Sequence, residues 1–158
     1  MRPSSLPLLL ALSLSAINVL PAQVARIGRL PVLAPMRAAT TSCRSLPVNR
    51  ELRDRGITGG VMARDSVARR LASIGTTANG RVKTLSAMMS DSTGPHRSEM
   101  ESVFIVFDAE GRVQSGSHSA MTGGTPARLS EDRRGGLLPS DTAQAVALAK
   151  ALAACRIR

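Results

Sequence analysis

The chain has 158 residues, 43% of them hydrophobic and 20% charged, with 21 Lys and Arg against 11 Asp and Glu for a formal charge of +10. That length holds one modest domain. Aromatic residues make up 1%, with only Phe104 and Phe107, so stacking platforms for single-stranded nucleic acid are excluded. The basic residues are mostly Arg dispersed along the chain, which fits a basic face tolerant of anionic envelope surfaces better than specific nucleic-acid binding.

Residues 1–22 read as an export signal. Arg2 supplies a positive start, Leu6 to Leu20 an apolar run, and Leu20-Pro21-Ala22 before Gln23 a small-residue cleavage pattern. Pro7, Asn18 and Pro21 interrupt the run below the roughly 20 apolar residues a spanning helix needs, which argues against a stable membrane anchor. Export places the protein in a periplasm or outside the cell, where the isolated pair Cys43 and Cys155 is expected to form a disulfide.

Residues 23–46, with Pro31, Pro35, Arg26, Arg29 and Arg37, read as a basic, Pro- and Ala-rich flexible segment, and residues 47–158 as a single α+β domain. The charges of Arg50, Glu51, Arg53, Asp54 and Arg55 around Leu52 predict a short solvated helix ended by Gly56, with a turn at Gly59-Gly60. A second helix is expected from Arg64 or Asp65 to Ile74, because Val67, Leu71 and Ile74 recur at spacings of four and three. Ala78-Asn79-Gly80 marks a turn and Arg81 to Met89 a strand, and Ser90 to Glu101 reads as a loop.

The densest apolar run after the leader follows. Val103, Phe104, Ile105, Val106 and Phe107 are β-branched or aromatic and suit a buried strand. Asp108-Ala109-Glu110-Gly111 supplies turn chemistry, and Val113 opens the return strand of a hairpin. Residues 120–136 read as an exposed connection, and Pro139-Ser140-Asp141 opens an Ala-rich helix whose apolar face carries Val146, Ala149, Leu152 and Ala153, beside a stripe of Leu148, Leu152 and Cys155. The expected architecture is thus a small antiparallel sheet of two to three strands packed against a C-terminal helix.

Chemistry-bearing patterns are sparse. Asp108-x-Glu110-Gly111 starts like a calcium loop but continues with Arg112, so a hairpin turn explains it better. His96 and His118 stand alone, without metal-ligand spacing, and no cofactor motif is present. Ser117-His118-Ser119 puts hydroxyls beside an imidazole, but neighbours on a strand point to opposite faces. If the protein were a small secreted hydrolase, His118 with a nearby Ser and Asp91 or Asp108 would carry it.

The alternating strand Val103, Ile105, Phe107, then Asp108-x-x-Gly111-Arg112-Val113, a second strand, a loop and an Ala-rich helix resemble the C-terminal module of TonB-type proteins over residues 99–158. That resemblance implies a two-layer α/β module binding an envelope protein or extended peptide at a strand edge, without catalysis. The expected edge comprises Val103, Ile105, Phe107 and Val113.

Overall fold

The computed structural model describes residues 30–92, 98–122, 125–126 and 139–157. The leader at residues 1–22 and His96 lie outside these residues. Seven strands form one antiparallel sheet in chain order: β1 (Thr41–Ser45), β2 (Gly59–Asp65), β3 (Arg70–Thr76), β4 (Val82–Ser92), β5 (Ser98–Phe107), β6 (Val113–Thr122) and the two-residue β7 (Thr125–Pro126). Helix α1 (Arg50–Asp54) links β1 to β2, and α2 (Pro139–Ala153) packs across β2, β3 and β4.

The α+β class holds, but a sheet of two to three strands is corrected to six full strands and a short seventh. Two stretches account for the difference. The first is the expected helix over residues 64–74, which is the β2–β3 hairpin. Asp65 Oδ1 accepts the N–H groups of Val67 and Ala68, both at 3.1 Å, and so turns the chain before a helix can start. Arg69 takes the left-handed conformation at φ 50°, and Val67, the first of the three apolar residues at helical spacing, is 63% exposed at the tip. From Arg70 the side chains alternate: Arg70, Ala72 and Ile74 are buried, while Leu71 and Ser73 are half-buried on the other face. The apolar spacings of three and four here coincide with positions that belong to a turn and to both faces of a strand.

The second is the segment read as flexible. Within it, residues 30–46 belong to the domain: Val32 and Leu33 are buried in the main core, and residues 41–45 form β1. Arg70 holds this strap down. Its guanidinium Nη1 donates to the carbonyls of Ala34 (2.5 Å) and Pro31 (3.3 Å), and Nη2 to that of Pro35 (2.7 Å). A buried cation is thereby met by three backbone acceptors. The Gly59-Gly60 turn is instead the start of β2, and the loop expected over residues 90–101 is largely strand, β4 reaching Ser92 and β5 beginning at Ser98.

Other elements follow the sequence closely. Helix α1 is capped by Asn49, whose Oδ1 accepts the N–H of Leu52 at 2.9 Å, and Gly56 at φ 74° ends it. The turns at Thr77–Arg81 and Asp108–Arg112 share one pattern. In each the first residue's N–H reaches the carbonyl four residues on, and a left-handed Gly80 or Gly111 closes the loop. Asp108 braces its turn by accepting the N–H groups of Arg112 and Glu110 and the Arg112 Nε.

The core lies between α2 and one face of the sheet. Ala145, Leu148, Ala149 and Leu152 are the buried positions of the helix, so the stripe through Leu148 and Leu152 faces the sheet, while Ala153 is exposed. They meet Ala63, Ala72, Ile74, Leu85, Ala87, Val103, Ile105 and Phe107. Small residues at the centre, Ala on both layers, allow close approach of helix and sheet. Cys43 on β1 is bonded to Cys155 beyond the end of α2, across 112 positions.

Candidate functional site

Val103, Ile105 and Phe107 do not form an edge. Strand β5 is paired with β4 on one side and β6 on the other, and all three side chains are buried in the core. Val113, at the start of β6, packs against the same core. The hairpin is central because Glu99 to Val106 of its first strand find partners on both sides.

The edge that remains open beside a cavity is β1. Leu46 N–H donates to the Gly60 carbonyl and Ser66 N–H to that of Thr40, so these are bonded pairs of the β1–β2 ladder. Antiparallel pairing alternates, and so Ser42 and Arg44 turn their backbone groups toward β2, whereas Thr41, Cys43 and Ser45 turn theirs outward. No described strand lies beyond them. A groove of about 360 Å³ runs along this edge, lined by Met36, Ala38, Thr41, Ser42, Cys43, Ala151, Leu152, Cys155 and Arg156. Its walls are the strap, the edge strand and the last turn of α2, and the disulfide fixes their spacing. The Thr41 hydroxyl is buried with no hydrogen-bond partner among the described residues. Arg156 lines the groove, and Arg44 and Arg64 lie exposed on the opposite face of β1 and β2. The arrangement offers backbone donors and acceptors, an apolar slot and positive charge, as suits an extended acidic segment.

A different polar cluster sits on the core face of β5 and β6. His118 Nε2 is hydrogen-bonded to Glu101 Oε2 at 3.1 Å, and Glu101 Oε1 accepts the N–H of Leu30 at 3.0 Å. Both side chains are largely buried. Glu101 thus ties the start of the strap to the sheet, one residue before the Pro31 carbonyl that Arg70 holds. The residue was not singled out from sequence, although continuing the inward alternation of Phe107, Ile105 and Val103 by one step lands on it.

The hydrolase arrangement is not assembled. Ser117 and Ser119 project to the opposite face from His118, and the Ser119 hydroxyl is hydrogen-bonded to that of Ser102 at 2.6 Å. Asp108 is occupied in its turn, and Asp91 lies opposite Glu99 in the β4–β5 ladder. Among the described residues no group of three or more His, Cys, Asp or Glu could hold a metal ion, and no helix is long and apolar enough to cross a membrane.

Two carboxylates are held below their ordinary range. For Asp108 the main cause is the N–H of Arg112, joined by the Arg112 side chain. For Asp65 it is the N–H of Ala68, with the Thr40 hydroxyl and Val67 N–H adding to it against the opposing effect of burial. Both are structural, each bracing a hairpin turn.

Comparison with models of known protein families, with curated proteins and with solved structures returned no match.

Proposed function

We propose that this protein is an exported, non-enzymatic binding module that takes an extended segment of an envelope or secreted partner onto the edge of β1. The observation that carries this reading is the outward-turned backbone of Thr41, Cys43 and Ser45 beside the groove closed off by the disulfide. Strand addition supplies affinity through main-chain hydrogen bonds, while the slot between Met36 and Leu152 receives an apolar side chain and the arginines favour acidic neighbours. The Cys43–Cys155 bond is what an oxidising compartment produces, which supports export to a periplasm or beyond.

Proline at position 45 tests the reading. Ser45 turns its N–H away from β2, so Ser45→Pro removes an outward donor and leaves the β1–β2 ladder in place. A synthetic peptide alternating glutamate and valine, capped at both ends, is expected to bind wild type and Ser45→Ala and to lose at least roughly tenfold in affinity with Ser45→Pro. Equal binding to all three overturns strand addition at β1. Equal binding of a sulfated polysaccharide to wild type and Ser45→Pro, with no peptide binding, would assign the basic surface to polyanions instead.

A further inference from the structure

The sheet face turned away from α2 has an unusual composition for a chain with 20% charged residues. From β3 to β6 the described positions on it are apolar, Gly, Ser or Thr, apart from Lys83 and Gln114 at the bulges of β4 and β6, and Lys83 Nζ donates to the Arg55 carbonyl beside α1. Met88, Met100 and Phe104 stand out from it, 39%, 36% and 38% exposed. Among the described residues the charges on this face are Arg44 and Arg64, on its β1 and β2 side, and Lys83, at its α1 end. Ile57, which follows α1, is buried against Gly75 of β3 and covers that end of the face. The rows of β3 to β6 beyond Ile57 carry no charge and no described element covers them, and a sheet with one packed layer and such a second face is half of a sandwich.

We infer that this face is where two copies of the chain meet, sheet on sheet. The argument is one of shape. The pairing register arranges the face in rows across the strands, one reading Leu71, Met88, Ser102, Ser119 and the next Ser73, Ser86, Phe104, Ser117. Consider a twofold axis lying in the interface, parallel to the strands and between β4 and β5. It sets β4 of one copy over β5 of the other, and β3 over β6, with rows kept in line. Met88 then faces Ser102, Phe104 faces Ser86, and Leu71 faces Ser119. Each large side chain of one copy meets a serine of its mate, which is the interdigitation that face-to-face packing at about 10 Å requires.

Charge selects the same occupant. Two chains of +10 repel one another wherever arginines meet, and the uncharged central rows of this face are where they approach at least cost. With four strands spaced about 4.8 Å and some six residues of rise along each, the patch measures about 400 Å² of plane per copy. That is about half of what each partner buries in a stable specific interface, so the dimer is weak and transient, with a dissociation constant on the order of tens of micromolar or above.

Sedimentation velocity of the purified, oxidised protein from roughly 1 to roughly 500 µM is expected to show a monomer–dimer equilibrium. The decisive variant is Ser86→Phe. It fills the space Phe104 of the mate enters, so a shaped interface loses its dimer, whereas indiscriminate apolar association grows stronger. Phe104→Ser is expected to weaken the dimer at least tenfold, and a thermal melt within a few degrees of wild type shows that the fold is kept. A wild type that stays monomeric at the top concentration overturns the inference, as does a dimer strengthened by Ser86→Phe. A dimer abolished by Ser45→Pro and untouched by Ser86→Phe also overturns it, placing the contact at the β1 edge instead. Peptide binding at β1 is measured separately, so the two readings fail independently.

Discussion

Removing the Cys43–Cys155 bond is the perturbation whose size follows most directly from the structure. The two residues are 112 positions apart, and in the chain-entropy account a loop of that length stabilises the fold by about 5 kcal/mol through restriction of the unfolded chain. A domain of this size has a total stability of roughly 5–15 kcal/mol, so a third or more is at stake. With a urea dependence of about 1–3 kcal/mol per molar, the midpoint of the Cys43→Ser/Cys155→Ser double variant should fall by roughly 2–5 M, and wild type in reductant should follow it. Hydrogen exchange adds a spatial check. The bond joins the edge strand to the end of α2, so protection should be lost first in β1 and the last turn of α2, and last in β4 and β5. A midpoint shift below about 0.5 M would refute the reasoning, because it would mean the strap contacts already hold β1 and the helix end without the covalent tie.

Glu101→Leu leaves the Leu30 N–H and the His118 ring without their acceptor in a largely buried site, and is expected to cost about 2–4 kcal/mol in chemical denaturation, with proteolysis near residue 30 appearing first. Gly60→Ala should be about as damaging, since a Cβ there would come within 2.0 Å of the Ile74 carbonyl oxygen at φ 152°; loss of roughly 3 kcal/mol by the same assay is expected. Asp65 and Asp108 titrate below the ordinary 3.8 in the folded state, so they contribute stability above about pH 4 that is lost as the pH falls through their lowered values. Asp108→Asn should therefore flatten the acid limb of the stability profile, and an unchanged limb would refute the bracing role. Ile105→Ala empties a fully buried position between β4 and β6 and should cost roughly 2–5 kcal/mol by urea melt, with far less from Val67→Ala at the exposed tip.

What could be read from sequence was what local chemistry decides. The turns at Asn79-Gly80 and Asp108 to Gly111 need left-handed glycines, and both are where they were expected. Helix α2 carries no breaker after Pro139, and the only two cysteines had no other partner. What failed was the assignment of periods in short segments. Over residues 64–74 three apolar residues matched a helix, and the deciding group was the single carboxylate of Asp65, whose preference for local N–H groups outranks weak periodicity. The strap was misread because its Pro, Ala and Arg composition is that of a tether, while the partners that order it, Arg70 and Glu101, lie at least 35 positions away. The β1 groove was invisible for the same reason: it is built from two stretches at opposite ends of the domain, residues 36–43 and 151–156, and neither carries a signal.

Strand order in the sheet is also the order of synthesis. Each strand from β2 to β6 can pair as soon as the next emerges, which keeps the search between partners short. Cys43 is the exception, since its sulfur must wait for 112 further positions to pass before Cys155 arrives. For that interval the nascent domain presents a thiol on an unclosed edge strand, beside the backbone groups most able to pair with another chain. Yield in an oxidising compartment should thus depend on how promptly thiol–disulfide exchange joins the first strand to the last helix, a dependence that a mature, oxidised molecule no longer shows.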